Sequence, residues 1–189
     1  QYVNLAECFR DDLHRMICMS NNGALVKIHD EIIYCRAFEK LEMESVIAVG
    51  RTLQHGIFVA SGIQSAYIEK PSTRSIDDYL AAMPAYFTEL KIIDSFSEIR
   101  DEILNFSICD FRGTEKYVHP LFSGLNGRFD IKVSGDIWLD ISLVGNNKGA
   151  GLRAIQSYLG VSRSETAAFG DYLNDSEMLM NAKYSFAMD

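Results

Sequence analysis

The segment that decides the fold and the candidate chemistry of this chain is Ala167-Ala168-Phe169-Gly170-Asp171-Tyr172-Leu173-Asn174-Asp175. Its short apolar run ends at Gly170, a pattern that predicts a buried strand stopping at a turn. The residues from Asp175 to Ala182 predict a helix that opens with an acid. The polar side chains therefore lie where a strand gives way to a helix. In open α/β sheets, ligands bind at this carboxyl edge of the strands.

Three polar residues of this segment are candidates for a metal and phosphate site. Asp171, at the predicted strand tip, offers the hard oxygen ligands that suit Mg²⁺. Asn174 and Asp175 follow one helical turn later and can face the same point. A simpler interpretation also exists, because Asp and Asn are common turn and helix-cap residues.

A candidate partner for the acids lies upstream, where Lys148 follows Asn147 at the predicted start of a helix. Its ammonium is a compact charge that suits a phosphate or a carboxylate, although a lone lysine is usually a solvated surface residue. If the two strand–helix units are neighbours in one sheet, Lys148 and Asp171 converge on one pocket. A lysine, a metal-binding carboxylate and an amide at one point favour phosphoryl transfer, where catalysis is mostly positioning and charge neutralisation.

Composition limits the classes of protein to which the chain can belong. The 189 residues suffice for one large domain or two small ones, and 48% of them are hydrophobic. A net charge of −8 without a basic stripe argues against a nucleic-acid partner. No apolar run is long enough to span a bilayer and no signal peptide is visible, so we expect a cytoplasmic protein without a membrane partner. Scattered cysteines at positions 8, 18, 35 and 109 predict reduced thiols.

The order of predicted elements indicates an α/β core with an inserted α+β domain. Near the N-terminus we predict a helix over residues 2–15 and a hairpin of strands 24–28 and 31–35. The middle mixes strands (57–61, 65–68, 106–111), helices (37–49, 77–90, 96–103) and a hairpin (129–133, 138–143). Pro84 must lie at a break or kink of the helix over 77–90. The last third alternates helix and strand, which favours a parallel sheet. We therefore predict core segments at 1–36 and 135–189, with the insertion at 37–134.

Several motifs together resemble the haloacid dehalogenase (HAD) superfamily phosphatases, in particular the Cof-type sugar-phosphatase branch. They cover both ends of the chain, whereas the middle fits only by length and pattern, as an α+β cap domain. The motifs are Asn22-Gly23-Ala24, Trp138-Leu139-Asp140-Ile141, Asn147-Lys148-Gly149, Ala168-Phe169-Gly170-Asp171, Asn174-Asp175 and Ser185-Phe186-Ala187-Met188. The resemblance implies a HAD-like Rossmannoid parallel-sheet core, here partial, around the inserted cap.

The resemblance also implies roles for individual residues. Lys148 corresponds to the lysine that binds the transferring phosphoryl group, and Asp171 to the aspartate that binds Mg²⁺. Asn174 corresponds to the asparagine that contacts the substrate phosphate. Asp175 corresponds to the acid that supports the lysine or the water shell of the metal. The implied reaction is hydrolysis of a small phosphorylated metabolite, such as a sugar phosphate, through an aspartyl-phosphate intermediate.

The family's nucleophile motif, D-x-D-G-T, is absent from these residues. The similar segment Asp110-Phe111-Arg112-Gly113-Thr114 is rejected, because Arg112 stands where the second aspartate belongs and the segment follows the N-G-A turn instead of preceding it. Since the chain begins at Gln1 and stops after a predicted strand, we expect a fragment whose nucleophile lies outside it and which is inactive alone.

Three alternatives stay open from the sequence. The protein is a phosphatase, a catalytically inactive phosphate-binding or regulatory protein of the same fold, or a structural interaction domain in which Lys148 and Asp171 lie far apart. Cap residues that choose the substrate are not identified by the sequence, although Tyr67, Arg74 and His119 are candidates. The sequence leaves the oligomeric state open.

Overall fold

The computed structural model describes residues 9, 11–71, 75–85, 87 and 89–188, and the chain forms two compact units. The first unit comprises Gln1–Arg36 and Gly145–Asp189, and the second comprises Ala37–Val144. The predicted boundary at residue 134 was wrong, since it falls inside a strand of the second unit. The strand that follows also belongs there, because it pairs with two other strands of that unit.

The N-terminal part of the first unit is a small antiparallel sheet. A 3₁₀ turn at Leu13–Arg15 precedes β1 (Cys18–Ser20), and a second 3₁₀ turn at Asn21–Gly23 leads into β2 (Leu25–Ile28) and β3 (Glu31–Cys35). The strand order is β1-β2-β3, with both pairs antiparallel. The predicted hairpin at 24–35 is thereby confirmed, whereas most of the helix predicted over residues 2–15 lies outside the described residues.

The second unit is built on a six-stranded sheet of order β6-β5-β4-β7-β9-β8. Only β5 and β6 are parallel, and every other neighbouring pair is antiparallel. The elements in chain order are α1 (Lys40–Gly50), β4 (Ile57–Gly62), β5 (Ala66–Glu69), α2 (Asp77–Ala82), β6 (Leu90–Ile93), β7 (Ile103–Cys109), α3 (Thr114–Tyr117), α4 (His119–Phe122), β8 (Phe129–Gly135) and β9 (Trp138–Leu143).

One face of this sheet carries the main apolar core of the second unit. Phe106 of β7 stacks on Phe58 and meets Phe38 edge-on, with both centroid distances at 5.2 Å. Phe122 and Ile141 are fully buried in the same cluster. Aromatic pairs in these arrangements contribute beyond the apolar area that they bury.

Two predicted helices of the middle region were wrong in extent. The helix predicted over 77–90 ends at Ala82 and continues only as a 3₁₀ turn at Met83–Ala85, because Pro84 cannot donate the next helical hydrogen bond. The helix predicted over 96–103 is a 3₁₀ turn at Phe96–Glu98, closed by a capping box between Ser95 and Glu98. Ile103, the last residue of that prediction, begins β7, which pairs with β4 along most of its length.

The C-terminal part of the first unit follows the prediction. It contains α5 (Lys148–Leu159), β10 (Ala167–Gly170), α6 (Ser176–Met180) and β11 (Tyr184–Ala187). Gly160 ends α5 in the left-handed conformation, with φ of 67°, as a glycine cap should. Strands β10 and β11 are parallel and joined through α6, which confirms the α/β class with a parallel core sheet.

Strand β10 is more exposed than its apolar sequence predicts. Ala168 and Gly170 are buried, but the Phe169 side chain is 61% exposed and stacks on the exposed Phe186 of β11 at 4.7 Å. Within this two-stranded sheet, β10 has a strand partner on one side only. No helix of the described residues has the length and apolar character needed to cross a membrane.

Candidate active site

Asp175 is the centre of the candidate site in the first unit. It ends a 3₁₀ turn at Leu173–Asp175 just beyond β10, and only 2% of its surface is exposed. Its Oδ1 atom accepts a hydrogen bond from Lys148 Nζ at 2.5 Å. Its Oδ2 atom accepts backbone N–H groups of Asp171 at 3.0 Å and Tyr172 at 3.3 Å. Both carboxylate oxygens are therefore occupied by donors.

These donors determine the charge state of Asp175. Burial by itself would raise the pKa of its carboxyl group, but the hydrogen bonds from Lys148, Asp171 and Tyr172 outweigh burial and lower the pKa below its ordinary value. At neutral pH the side chain is therefore a carboxylate paired with a lysine. A buried charge is tolerated when it is paired and hydrogen-bonded in this way.

Lys148 is the first residue of α5, a position that helix electrostatics do not favour for a cation. The helix begins regularly, because Asn147 Oδ1 accepts the backbone N–H of Ala150 at 2.9 Å. Asp175 compensates the charge of Lys148, whose side chain stays 30% exposed. The accessible ammonium and the N-terminal end of α5 both favour an approaching anion.

The Asn21–Gly23 turn packs directly against the start of α5. Gly23 has φ of +92°, which L side chains rarely adopt. A Cβ atom at Gly23 would also overlap the backbone carbonyl of Asn147. Only glycine therefore permits the close approach that brings this turn beside Lys148.

Asn22 was missed as a site residue by the sequence analysis. Asn174 Nδ2 donates to Asn22 Oδ1 at 3.4 Å, which links residues 152 positions apart in the chain. Asn22 has φ of 54°, a left-handed conformation that asparagine adopts more readily than most residues. The Asn22-Gly23 pair was visible as a turn signal, but only long-range packing connects it to Asn174.

Asn146 was also missed. It is fully buried directly before α5, and its Nδ2 donates to the backbone carbonyl of Arg36 at 3.2 Å. Its Oδ1 has no hydrogen-bond partner within the described residues. Asn146 thereby fastens the start of α5 to the residue that follows β3.

The remaining candidates lie elsewhere in the chain. Tyr67, in β5 of the second unit, is 7% exposed, and its hydroxyl donates a hydrogen bond to Asp101 Oδ2 at 3.1 Å. This contact lies within the fold of the second unit and is structural. His119 begins α4 in the same unit. Arg74 lies outside the described residues. The structure therefore brings together Lys148, Asp171, Asn174 and Asp175, joined by hydrogen bonds either to one another or to the Asn21–Gly23 turn.

The rejected segment at Asp110 has a structural role in the second unit. Asp110 is fully buried at the end of β7, and its two oxygens accept Arg112 Nε at 3.0 Å and Nη2 at 2.6 Å. Thr114 is also buried and donates to the carbonyl of Trp138 at 3.0 Å. Both side chains are engaged within the fold.

Asp171 is the carboxylate beside Lys148 and Asp175 that could hold a metal ion. Asp171 is exposed directly after β10, and its side chain makes no hydrogen bond or ion pair to any residue that the structure describes. Asp175 is committed to Lys148, and the described residues include no group of three or more His, Cys, Asp or Glu side chains that could hold a metal. Mg²⁺ is commonly bound by one or two carboxylates plus water and substrate oxygens, so Asp171 fits one such ligand.

Comparison with known families finds one match over almost the whole chain. A family model described as haloacid dehalogenase-like hydrolase matches residues 2–189. A curated relative, 5-amino-6-(5-phospho-D-ribitylamino)uracil phosphatase YbjI of Escherichia coli K12, is 27% identical over 194 residues. That match covers 100% of this chain and 69% of the relative. HMP-PP phosphatase of E. coli K12 is 38% identical over 68 residues, covering 36% of this chain and 25% of the relative.

Solved structures share the same fold. A protein from Eubacterium rectale superposes with a TM-score of 0.86 and 22% identity, over 100% of this chain and 71% of that protein. The sugar phosphatase BT4131, described as HAD subclass IIB, superposes with a TM-score of 0.75 and 21% identity, over 98% of this chain and 68% of that protein. The chain thus spans about seven-tenths of the length of these relatives.

Proposed function

Since the chain belongs to the haloacid dehalogenase-like hydrolases, in their Cof-type branch, we propose that its protein is a Mg²⁺-dependent phosphatase of sugar phosphates and related polyol phosphates. The coarser assignment follows from the family: the chain is a HAD-family phosphoric monoester hydrolase whose relatives act on small phosphorylated metabolites. The metal, the nucleophile and the substrate class belong to the proposal.

The observation that carries the proposal is the hydrogen-bonded group Lys148–Asp175–Asp171. Asp175 holds the Lys148 ammonium in place through one oxygen and the backbone of Asp171 through the other. The partly exposed ammonium would bind the phosphoryl oxygens and offset the negative charge of the transferring group. Because the lysine is already positioned, little reorganisation is needed when the phosphate arrives.

Asn174 would complete the phosphate contacts from the same segment. Its amide nitrogen donates weakly to Asn22 at 3.4 Å, and the second amide hydrogen is available to a substrate oxygen. The Asn21–Gly23 turn would therefore act as a positioning element for Asn174.

We infer that Asp171 ligates Mg²⁺. Its exposed carboxylate follows a parallel strand and lies free of ion pairs in the described part of the chain. When bound there, the metal would neutralise charge on the phosphate and orient it. The second unit is the candidate cap domain, and a cytoplasmic location stays a prediction.

The nucleophile is proposed to be an aspartate outside these 189 residues, forming an aspartyl-phosphate that water then hydrolyses. Among the described residues β10 has one strand partner, β11, so its other edge is open to an additional strand, and the exposed apolar side chains of both strands support a covering element. Exposed apolar sheet surface of this kind normally has a covering element.

The test uses the intact protein and measures phosphate release from a panel of phosphorylated sugars, with and without Mg²⁺. Asp171→Ala should abolish the Mg²⁺-dependent activity while leaving the circular dichroism spectrum and melting temperature nearly unchanged. The matched control is Asp94→Ala, an exposed aspartate of the second unit, which should keep wild-type rates. Wild-type turnover by Asp171→Ala would refute the assignment.

The second candidate is an inactive phosphate-binding protein, favoured only by the absence of a D-x-D-G-T segment in this sequence. It predicts that the intact protein binds inorganic phosphate through Lys148 but releases none from any phosphomonoester. Two results together would establish this alternative. The wild-type protein would bind phosphate without any turnover, and the Lys148→Ala variant would lose that binding.

A further inference from the structure

A groove in the first unit lies between β3 and α5. Its volume is about 520 Å³, which is within the range of sites that bind small molecules. The side chains at the centre of the candidate active site, Lys148 and Asp175, are not among the residues that line it. The groove is therefore a separate feature of this unit, and its walls come from one strand and one helix.

A β-bulge gives the strand side of the groove two consecutive side chains. In the pair of β2 and β3, Val26 lies opposite Tyr34 and Lys27 lies opposite Ile32. Ile33 is therefore an extra residue in the register. Consecutive residues of a regular strand point to opposite faces, whereas a bulge changes the direction of a side chain. Both Ile33 and Tyr34 line the groove as a result.

One face of α5 forms the opposite wall. Four of its residues share that face, because they follow the i, i+3, i+4, i+7 spacing of a helix. They are Ala150, Arg153, Ala154 and Ser157. The two alanine side chains are small, so this face leaves room beside the longer side chain of Arg153.

The polar side chains of the groove are hydrogen-bond donors that the described residues do not use. Arg153 is exposed and makes no ion pair or hydrogen bond with any residue that the structure describes. In the same part of the chain, the hydroxyl groups of Tyr34, Ser157 and Tyr158 also make none. The described lining residues include no acid, although the chain has 26 Asp and Glu residues against 18 Lys and Arg. The groove therefore favours a negatively charged ligand.

Two arginines of the second unit show how the fold uses a guanidinium for its own stability. Arg51 donates two hydrogen bonds to the carboxylate of Glu69. Arg112 donates two to the carboxylate of Asp110. Arg153 presents the same fork of N–H donors without a carboxylate of the described chain, which leaves it available to a carboxylate or phosphate from outside.

We propose that this groove binds a planar organic anion, whose carboxylate or phosphate-type group is held by Arg153. The guanidinium matches two oxygens of such a group, and the hydroxyl groups of Tyr34 and Ser157 can donate to them as well. The tyrosine rings and Ile33 supply apolar surface for a flat ligand body. The proposal concerns binding only and does not depend on phosphatase activity.

The first test is an NMR titration of the intact ¹⁵N-labelled protein with benzoate, a planar carboxylate. The amide signals of β3 and of residues 150–158 should shift, together with the Nε–H signal of Arg153. Benzamide has the same shape without the charge and should bind about tenfold more weakly, since hydrogen bonds to charged groups are the stronger ones. Absence of shifts at the groove, or equal binding of benzamide, would overturn the proposal.

Substitutions of Arg153 test its role directly. Arg153→Gln should weaken benzoate binding about tenfold. Arg153→Lys keeps the charge but loses the two-point geometry, so its affinity should lie between those of the wild type and Arg153→Gln. The matched control is Arg100→Gln, at an exposed arginine of the second unit, which should bind benzoate as the wild type does. Wild-type affinity in Arg153→Gln would contradict the proposal.

Ala154→Leu tests the shape of the groove without changing its charge. The larger side chain should fill the space beside Arg153 and weaken benzoate binding severalfold, while the amide spectrum of the protein stays native. If the leucine disturbs α5, Ser157→Leu makes the same test at a more exposed position of the same face. Unchanged binding by a natively folded variant would show that benzoate binds elsewhere, and the proposal would fail.

A second titration distinguishes the two kinds of anionic group. Phenylphosphonate resembles a phosphate monoester, but its C–P bond is not a substrate for ester hydrolysis. Tighter binding of phenylphosphonate at the groove assigns a phosphate-type ligand, and tighter binding of benzoate assigns a carboxylate. Lys148→Ala should leave the shifts at the groove unchanged, whether or not the proposed phosphatase function holds. Loss of those shifts in Lys148→Ala would assign the anion to the candidate active site and overturn the proposal.

Discussion

The ammonium of Lys148 and the carboxylate of Asp175 form an ion pair between residues 27 positions apart, at the two ends of a helix–strand connection. The second oxygen of Asp175 holds the backbone N–H of Asp171. A single buried carboxylate therefore positions both the cation and Asp171, the residue that we propose as a metal ligand. Three predictions concern this site, and a fourth concerns the Asp110–Arg112 pair of the second unit.

Removal of the lysine charge should destabilise the first unit. Lys148→Met leaves the Asp175 carboxylate buried without its cation, which we expect to lower the free energy of unfolding by about 2 kcal/mol. The measurement is urea unfolding at pH 7. Lys70→Met, at an exposed lysine without an ion pair in the described residues, should change stability by less than about 0.5 kcal/mol. Equal stabilities of the two variants would contradict the prediction.

The pH dependence of stability should report the ionisation of Asp175. Its pKa in the folded protein is lowered from an ordinary value of 3.8. The stabilising contribution is therefore complete above that value and is lost as the pH falls through the folded pKa. The stability difference between wild type and Asp175→Asn should be constant from neutral pH down to about pH 5 and shrink below about pH 4. A difference that stayed constant throughout the acid range would show that the Asp175 charge is not the cause.

Gly170→Ala should disturb the site through a direct clash. A Cβ atom at Gly170 would lie 2.5 Å from Asp175 Cβ and 2.9 Å from its Cγ. Because Asp175 is buried and hydrogen-bonded at both oxygens, it cannot move aside freely, and we expect a loss of about 2 kcal/mol. The melting temperature measures it. Gly124→Ala is the control, since nothing lies within 4 Å of its Cβ position, and it should melt close to wild type.

Asp110→Asn distinguishes a structural aspartate from a nucleophile. The fully buried Asp110 forms a two-point ion pair with Arg112. Burial alone would raise the pKa of Asp110, but the hydrogen bonds from Arg112 lower it, so the group is charged at neutral pH. Asp110→Asn should lower the free energy of unfolding by about 2 kcal/mol.

Phosphate release per folded molecule by the intact protein should stay at the wild-type rate in Asp110→Asn, below the melting temperature of the variant. Loss of all activity from a folded variant would restore Asp110 as a nucleophile candidate. Covalent labelling of that residue by substrate phosphate would have the same meaning.

Local signals in the sequence were sufficient for most of the first unit. Gly160 ends α5 in the left-handed conformation, and Ser162 and Glu165 form a capping box, both of which their residue types and spacing indicate. Strands β10 and β11 and the helix between them also occur where the pattern places them. These features depend on residues within one or two turns of one another, so a single sequence contains them.

The predictions failed where distant residues competed with local preference. The segment after Phe96 has helical spacing, yet its last residue, Ile103, begins β7, because β7 pairs with β4 along most of its length. The boundary placed at residue 134 cut the hairpin of β8 and β9, whose second strand is held in the second unit by β7. Helical periodicity does not encode either of these long-range pairings.

The sequence by itself determined the α/β class, the family resemblance and the identity of Lys148, Asp171, Asn174 and Asp175 as one candidate site, because strand tips, helix starts and motif spacing are local properties. Only the tertiary structure decided that Asp175 joins Lys148 to the backbone of Asp171, that Asn22 meets Asn174, and that Arg153 lines a groove with Tyr34. Those contacts join residues far apart in the chain, and they form only when helices and strands pack against one another.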